Sequence, residues 1–268
     1  SPKGYVLSEE EIPVTIGKVD EVVEIELVNY FIKGNIALTK VDEDYPDNKL
    51  SGAVFEVYSD TNGDGKLDKD DTLLGEMKEL DGGVYQMSEL RYGKYLVKET
   101  KAPTGFVLDE DVYAVSIEEN GKTYTVENKA GVGFINAAQK GSLKIVKTSS
   151  DGKVEGFSFR VTGVDYDQTF KTDKNGEIVI EGLRIGDYTV SEVSDKASAG
   201  YILPADKQVT VKVDATAIVQ MHNEFRDTPK TGDDFNLGLW VSLAALSVVG
   251  AGVLGFVGYK NRKKKKED

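Results

Sequence analysis

The sequence has no cysteine and a single histidine, His222. The first absence excludes disulfides, cysteine-ligated zinc, iron–sulfur clusters and thiol nucleophiles. The second leaves a histidine-dependent triad or a multi-histidine metal site without its parts. Basic residues are also in short supply: 33 Lys and Arg stand against 46 Asp and Glu over 268 residues, a net charge of −13. That balance argues against nucleic acid as a partner, because phosphate binding needs a basic surface. Helical patterning is missing too, since no amphipathic helix of useful length can be drawn before residue 237. The length suffices for two domains of ordinary size.

What is present is unevenly placed. The last nine residues hold six bases (Lys260, Arg262, Lys263, Lys264, Lys265 and Lys266) and two acids, which leaves residues 1–259 with a net charge of −17. Between acidic body and basic tail runs an uncharged stretch, Leu237 to Tyr259, long enough to cross a bilayer as a transmembrane helix. The bases after it predict a cytoplasmic tail and an extracellular body, with Trp240 as an aromatic anchor near the boundary. Immediately upstream stands Thr228-Pro229-Lys230-Thr231-Gly232. A Pro-x-Thr-Gly stretch, an apolar span and a basic tail, in that order, resemble the LPXTG-type sorting signal of Gram-positive cell-wall-anchored surface proteins, with Thr228 in place of the usual Leu. The resemblance implies that a sortase cleaves between Thr231 and Gly232 and joins Thr231 to an amine of peptidoglycan or of a pilin subunit. The chain begins with Ser1 and shows no charged-then-apolar leader. Export needs one, so the expectation is that this is the end of a longer protein.

The acidic body contains a loose repeat. Gly34-Asn35-Ile36-Ala37-Leu38-Thr39-Lys40 is matched by Gly141-Ser142-Leu143-Lys144-Ile145-Val146-Lys147. Gly52 to Val57 is matched by Gly156 to Val161, and Gly93 to Glu99 by Gly186 to Glu192. The units close on Phe134-Ile135-Asn136 and Met221-His222-Asn223. A third unit is only a remnant: Ser1 to Tyr5 parallels Ala102 to Phe106, and Leu27-Val28-Asn29 parallels the closing segments. Short runs of Val, Ile, Tyr and Thr between Gly and Asp/Asn turns predict antiparallel strands, and each complete unit has the size of a β-sandwich. The expected organisation is a remnant repeat (1–33), two sandwiches (34–139 and 140–226) and a C-terminal sorting segment (227–268).

Strand side chains alternate between faces. Lys40 therefore shares a face with Ile36 and Leu38, and Lys147 with Leu143 and Ile145. Glu99 joins Tyr95 and Val97, while Glu192 joins Tyr188 and Val190. Asn136 joins Phe134; Asn223 joins Val219, Met221 and Phe225; Asn29 in the remnant joins Ile25 and Leu27. A lysine, a glutamate and an asparagine thus point toward a core in the same order, twice. Burial lowers a lysine pKa and raises a glutamate pKa. A neutral amine is a nucleophile, and a protonated carboxyl polarises the Asn carbonyl. At contact distance the amine attacks the carboxamide carbon, ammonia leaves, and one amide bond forms between side chains with Glu as proton shuttle. Proximity replaces an external catalyst. The alternative is a buried hydrogen-bonded cluster with no covalent link.

Leu38-Thr39-Lys40-Val41-Asp42, Leu50-Ser51-Gly52-Ala53-Val54-Phe55, and the run from Tyr95 to Phe106 with its Glu99-Thr100-Lys101-Ala102-Pro103-Thr104-Gly105 centre resemble the Cna B-type, or SpaA-like, domains of Gram-positive adhesins and pilins. The resemblance covers nearly all of residues 1–226. It implies an all-β fold of tandem prealbumin-like, Ig-like sandwiches, with isopeptide bonds Lys40–Asn136 assisted by Glu99 and Lys147–Asn223 assisted by Glu192. Asn29 would pair with a lysine upstream of this chain. The second unit departs after Glu192, having no Pro before Gly200-Tyr201.

One further motif lies in the first complete unit. Asp60, Asn62, Asp64, the Lys66 carbonyl, Asp68 and Asp71 stand at positions 1, 3, 5, 7, 9 and 12 of a calcium-type loop, with Gly65 at the sharp turn. The last ligand is Asp rather than the EF-hand Glu, and no helices flank it. The expectation is a structural calcium ion in a loop inserted into a hairpin; an acidic turn is the alternative. His222 is expected to face solvent. The whole is expected to be a wall-anchored stalk of an adhesin or pilus-associated protein, non-enzymatic apart from single-turnover self-crosslinking. The alternatives are a polymerising pilin subunit, of whose lysine motif Tyr45-Pro46-Asp47-Asn48 is a faint echo, or the accessory stalk of an extracellular enzyme. Any host or matrix ligand is expected to bind through the region upstream.

Overall fold

The computed structural model describes residues 2–226. The sorting motif, the apolar span and the basic tail lie outside the described residues. Among the described residues there is no helix, and none long and apolar enough to cross a membrane.

Residues 34–139 form one sandwich. Its first sheet contains β1 (Lys33–Asp42), β4 (Lys78–Asp81), β5 (Val84–Arg91) and β8 (Thr123–Thr125) in the order β4-β5-β1-β8, with β9 (Phe134–Asn136) also paired to β1. The facing sheet is β3-β2-β6-β7, built from β2 (Val54–Ser59), β3 (Thr72–Glu76), β6 (Gly93–Lys101) and β7 (Val112–Ile117). The second sandwich repeats the plan. One sheet is β13-β10-β17-β15, from β10 (Lys140–Ser149), β13 (Glu177–Arg184), β15 (Tyr201–Ile202) and β17 (Thr216–Phe225). The other is β12-β11-β14-β16, from β11 (Ser158–Gly163), β12 (Tyr166–Lys171), β14 (Gly186–Glu192) and β16 (Lys207–Val211).

The period-2 pattern is expressed directly. In β1 every second residue from Gly34 to Asp42 is buried, and in β10 every second residue from Gly141 to Lys147. Ile36, Phe55, Val57, Val97 and Phe134 fill the first core; Leu143, Ile145, Phe157, Phe159, Val161, Val190 and Met221 fill the second. The glycine that opens each repeat has a steric cause. A Cβ on Gly34 would stand 2.8 Å from the Lys122 carbonyl oxygen, and one on Gly141 would stand 2.2 Å from that of Lys212. Both strands also carry a register shift just after this glycine, where they pair with β5 and β13.

One expectation is corrected. The strands are not all antiparallel: β1 runs parallel to β8 and β9, and β10 runs parallel to β17. Parallel neighbours need a crossover between them, and the entire facing sheet of each sandwich supplies it. In the remnant, Asn29, Ile25 and Leu27 are exposed and belong to no strand, and no facing sheet covers them among the described residues.

The two sandwiches meet at a charged clamp. Arg184, at the end of β13, makes a bidentate contact to Asp42 at 2.7 and 2.8 Å and reaches Asp44 at 3.0 Å. Lys140 adds a contact to Asp44 at 3.1 Å, and the Arg184 guanidinium lies 5.0 Å from the Tyr45 ring centre. Burial pushes the Asp42 carboxyl up, but hydrogen bonds from Arg184 and the Asp44 N–H hold it below the usual range. The Ile185 N–H also donates to the Gln139 carbonyl at the junction.

Candidate cross-linking sites

Each sandwich gathers its lysine, glutamate and asparagine from three strands. Lys40 enters from β1, Asn136 from the neighbouring β9, and Glu99 crosses the interior from β6 in the facing sheet. In the second unit the same places are taken by Lys147 on β10, Asn223 on β17 and Glu192 on β14. The offset is identical. Lys40 lies opposite Phe134 and Lys147 opposite Met221, so each lysine stands diagonal to an asparagine two residues further on. Two residues along a strand restores the same face, which is why the two side chains converge.

All six side chains are buried, Lys40, Glu99 and Asn223 completely. The Asn136 amide donates to both Glu99 oxygens at 3.0 Å. Asn223 donates to Glu192 Oε1 at 2.6 Å. The Lys40 amine donates to the Phe134 carbonyl at 3.0 Å and lies 5.2 Å from the Phe134 ring centre. The Lys147 amine donates to the Thr148 carbonyl and lies 4.3 Å from the Phe157 ring centre. Both amines thus rest on carbonyl oxygens and aromatic faces rather than on a carboxylate.

The electrostatics follow from burial. Burial lowers the Lys40 amine to about 8, against the raising pull of Glu99, Asp109 and Asp42. It lowers Lys147 likewise, opposed by Glu192 and Asp151. It raises the Glu99 and Glu192 carboxyls, opposed by the hydrogen bonds they accept and by the nearby lysines. Each site therefore shifts toward a neutral amine beside a protonated acid.

Three buried side-chain atoms among the described residues have no hydrogen-bond partner: Asn136 Oδ1, Asn223 Oδ1 and Glu192 Oε2. All three belong to these sites. An orphaned buried carbonyl is costly. Turning either amide about its Cβ–Cγ bond brings the carbonyl oxygen to the glutamate, a contact that becomes a hydrogen bond once the acid carries a proton. That arrangement polarises the carboxamide carbon for attack.

Sequence reasoning missed several participants in the first sandwich. The Asp109 N–H donates to Glu99 Oε2 at 2.9 Å, and the Asp109 carboxylate accepts from Tyr113 at 2.8 Å and Asn128 at 2.7 Å. These residues lie in connecting segments and on β7, with nothing in their spacing to mark them.

The calcium-type loop joins β2 to β3 as an insertion in a hairpin. Asp60 is buried and accepts from the Gly63 N–H at 2.7 Å and the Gly65 N–H at 3.1 Å. Asn62 and Asp64 accept from the N–H groups two residues on, at 3.0 and 2.8 Å. Asn62 reaches Asp68 at 3.1 Å, and Asp71 accepts from the Thr61 and Asp68 N–H groups. Lys66 contributes its N–H to Asp64. Lys94 donates to the Gly63 carbonyl at 2.7 Å. Among the described residues, no three His, Asp or Glu side chains lie close enough together to hold a metal ion. His222 is exposed, between Thr148 and Glu224.

Paired sheets closed by a parallel first and last strand, repeated in tandem, define an all-β protein of prealbumin-like fold. The chain belongs to the family of SpaA prealbumin-like fold domains, whose model matches residues 34–130 and 141–225. Among solved structures it is similar to the Bacillus anthracis TIE protein, at 27% identity and a TM-score of 0.63, over 84% of this chain and 40% of that one. The chain thus spans well under half the length of that relative. The minor pilin of Streptococcus agalactiae aligns at 18% identity and a TM-score of 0.33, over 74% of this chain and 98% of that one. The shaft pilin of Lactobacillus rhamnosus GG aligns at 14% identity and a TM-score of 0.32, over 72% and 98%. A comparison with curated proteins finds no match.

Proposed function

We propose that this chain is part of a cell-surface stalk of an adhesin or pilus-associated protein, in which each sandwich closes itself with one isopeptide bond. The Lys40 amine attacks Cγ of Asn136, and Lys147 attacks that of Asn223. Glu99 and Glu192 carry the proton from the attacking nitrogen to the leaving one. One C–N bond forms, one breaks, and one ammonia departs per sandwich. The carrying observation is the convergence, twice at the same strand offset, of a buried amine, a raised carboxyl and a carboxamide with an unpartnered oxygen.

The expected result is an intact mass lower than the sequence mass by two ammonia, with digestion releasing two branched peptides. A mass equal to that of the sequence would leave only hydrogen-bonded clusters and end this reading.

Two extensions rest on motifs. The segment Thr228 to Gly232 supports sortase anchoring to peptidoglycan or to a pilin subunit, with the apolar span as a transient membrane stop. The support for a structural calcium ion is the sequence alternation from Asp60 to Asp71, whose donors Asp60, Asn62, Asp64, Asp68, Asp71 and the Lys66 carbonyl would have to draw closer together to hold it. Calcium is expected to raise the melting temperature of the wild type and not that of Asp64→Ala. Identical curves with and without chelator would remove the ion from the proposal.

A further inference from the structure

The two sandwiches hold their acceptor asparagines in different ways. In the second, Asn223 lies within the ten-residue strand β17, which pairs continuously with β10 from Thr216 to Asn223. In the first, the closing strand is broken. After β8 the Val126 N–H still donates to the Ala37 carbonyl of β1, and the chain then leaves the ladder through residues 127–133 and rejoins it for Phe134–Asn136. Three residues of ladder are a weak hold on the atom that must be attacked.

Asn128, inside that excursion, makes good the loss. Its side-chain oxygen accepts the Ile135 N–H at 2.6 Å and its amide donates to the Ile135 carbonyl at 2.9 Å. A primary carboxamide bonding both polar groups of one residue imitates a neighbouring strand, so the outer edge of β9 is paired although no strand lies there. The same amide donates to Asp109 at 2.7 Å, and the Asp109 N–H donates to Glu99 at 2.9 Å. Tyr113 fixes the Asp109 carboxylate from β7. A cleft of about 230 Å³ lined by Asp109, Asn128, Ile135 and Asn136, among others, opens beside the acceptor strand. Glu192 in the second sandwich has no such chain, and one of its oxygens is unpartnered.

We infer that Asn128 and Asp109 are positioning residues for the Lys40–Asn136 bond: Asn128 substitutes for the missing stretch of closing strand, and Asp109 couples that hold to the proton shuttle Glu99. The inference rests on the isopeptide reading, and the second sandwich is its control within the same molecule.

The test uses the full chain, recovered unfolded in denaturant before it reacts, then diluted into buffer and sampled over time by mass, with digestion to assign each bond. Asn128→Ala is expected to slow the first bond about a hundredfold, the scale of a misplacement of one ångström, and to leave the second bond's rate unchanged. Asn128→Asp keeps the acceptor for Ile135 and loses both donations, so an intermediate rate is expected. Asp109→Asn supplies a readout that loss of support alone does not move. Conversion needs a neutral Lys40, whose fraction rises with pH, and a protonated Glu99, whose fraction falls with pH. Glu99, Asp109 and Asp42 face Lys40, and Asp109 and Lys40 face Glu99, with the Asp109 charge raising both groups. Removing that charge lowers both, so the bell-shaped rate profile is expected to move to lower pH for the first bond alone.

Equal rates for wild type and Asn128→Ala, or an unmoved profile in Asp109→Asn, overturn the inference. Where Asn128→Ala fails to fold, the Asp109→Asn profile decides. A wild type that loses no ammonia ends the isopeptide reading itself, and the inference with it. A wild type that forms both bonds beside an Asn128→Ala chain that forms them at the same rates ends only the positioning role.

Discussion

Glu99→Ala is expected to leave the chain heavier by one ammonia than the doubly bonded wild type, after correction for the substitution, and Glu99→Ala with Glu192→Ala by two. In the proposed reaction the glutamate moves a proton between a lysine that is 0–1% exposed and an asparagine that is 0–3% exposed, where bulk water is a poor substitute for a fixed acid. Glu99→Gln tests the same point more finely, because the amide keeps a hydrogen bond to Asn136 and cannot carry the proton. It too is expected to remain open. The energetic consequence is large. A cross-link between positions 40 and 136, or 147 and 223, limits the unfolded chain by about 4–5 kcal/mol if it acts as a disulfide does. Each open sandwich is expected to lose stability on that scale in denaturant unfolding. Wild-type masses in both Glu→Ala chains would remove the shuttle role.

Phe134→Ala is the second change of large effect. The ring is fully buried, with its centre 4.9 Å from that of Phe55 and 5.1 Å from that of Tyr113, both edge-on, and the Lys40 amine lies 5.2 Å from its centre. Removing a buried phenylalanine costs about 3–5 kcal/mol, transfer and cavity together. The same residue supplies the carbonyl that receives the Lys40 amine, and it begins the three-residue strand that carries Asn136. The expected outcome is a weaker first sandwich that also closes its bond more slowly, and an unaltered second one. Denaturation followed by mass analysis of each domain separates the two. A loss below about 1 kcal/mol would mean that the core collapses around the vacancy far better than such sites do.

Much of this was legible because strands expose their logic at a period of two. The lysines, glutamates and asparagines could be placed inside from their neighbours alone, as Lys40 with Ile36 and Leu38 shows. Inserting the acidic loop between β2 and β3 was equally readable, since only the spacing of the first unit was stretched. Strand direction was not. Alternation is blind to it, and nothing in Phe134 or Met221 says that their strands run alongside β1 and β10 in the same sense. Long-range partners were hidden for a related reason. Asp42 and Arg184 are 142 positions apart, and a charge at a strand end looks like any solvated charge until the junction closes over it. Asn128 was hidden because its work is to imitate backbone, which leaves no residue pattern. Asn29 shows the converse, as inward spacing in a segment with no facing sheet describes a core that the described residues do not contain.

The common direction of β10 and β17 sets how the second sandwich meets tension. A stretch applied at the start of the first strand and the end of the last slides two parallel neighbours past each other, loading their ladder in shear rather than peeling it bond by bond. With Lys147 joined to Asn223, the load runs along β10, through that link and out at Phe225. The remainder of the sandwich then hangs beside the strained line, sheltered from it.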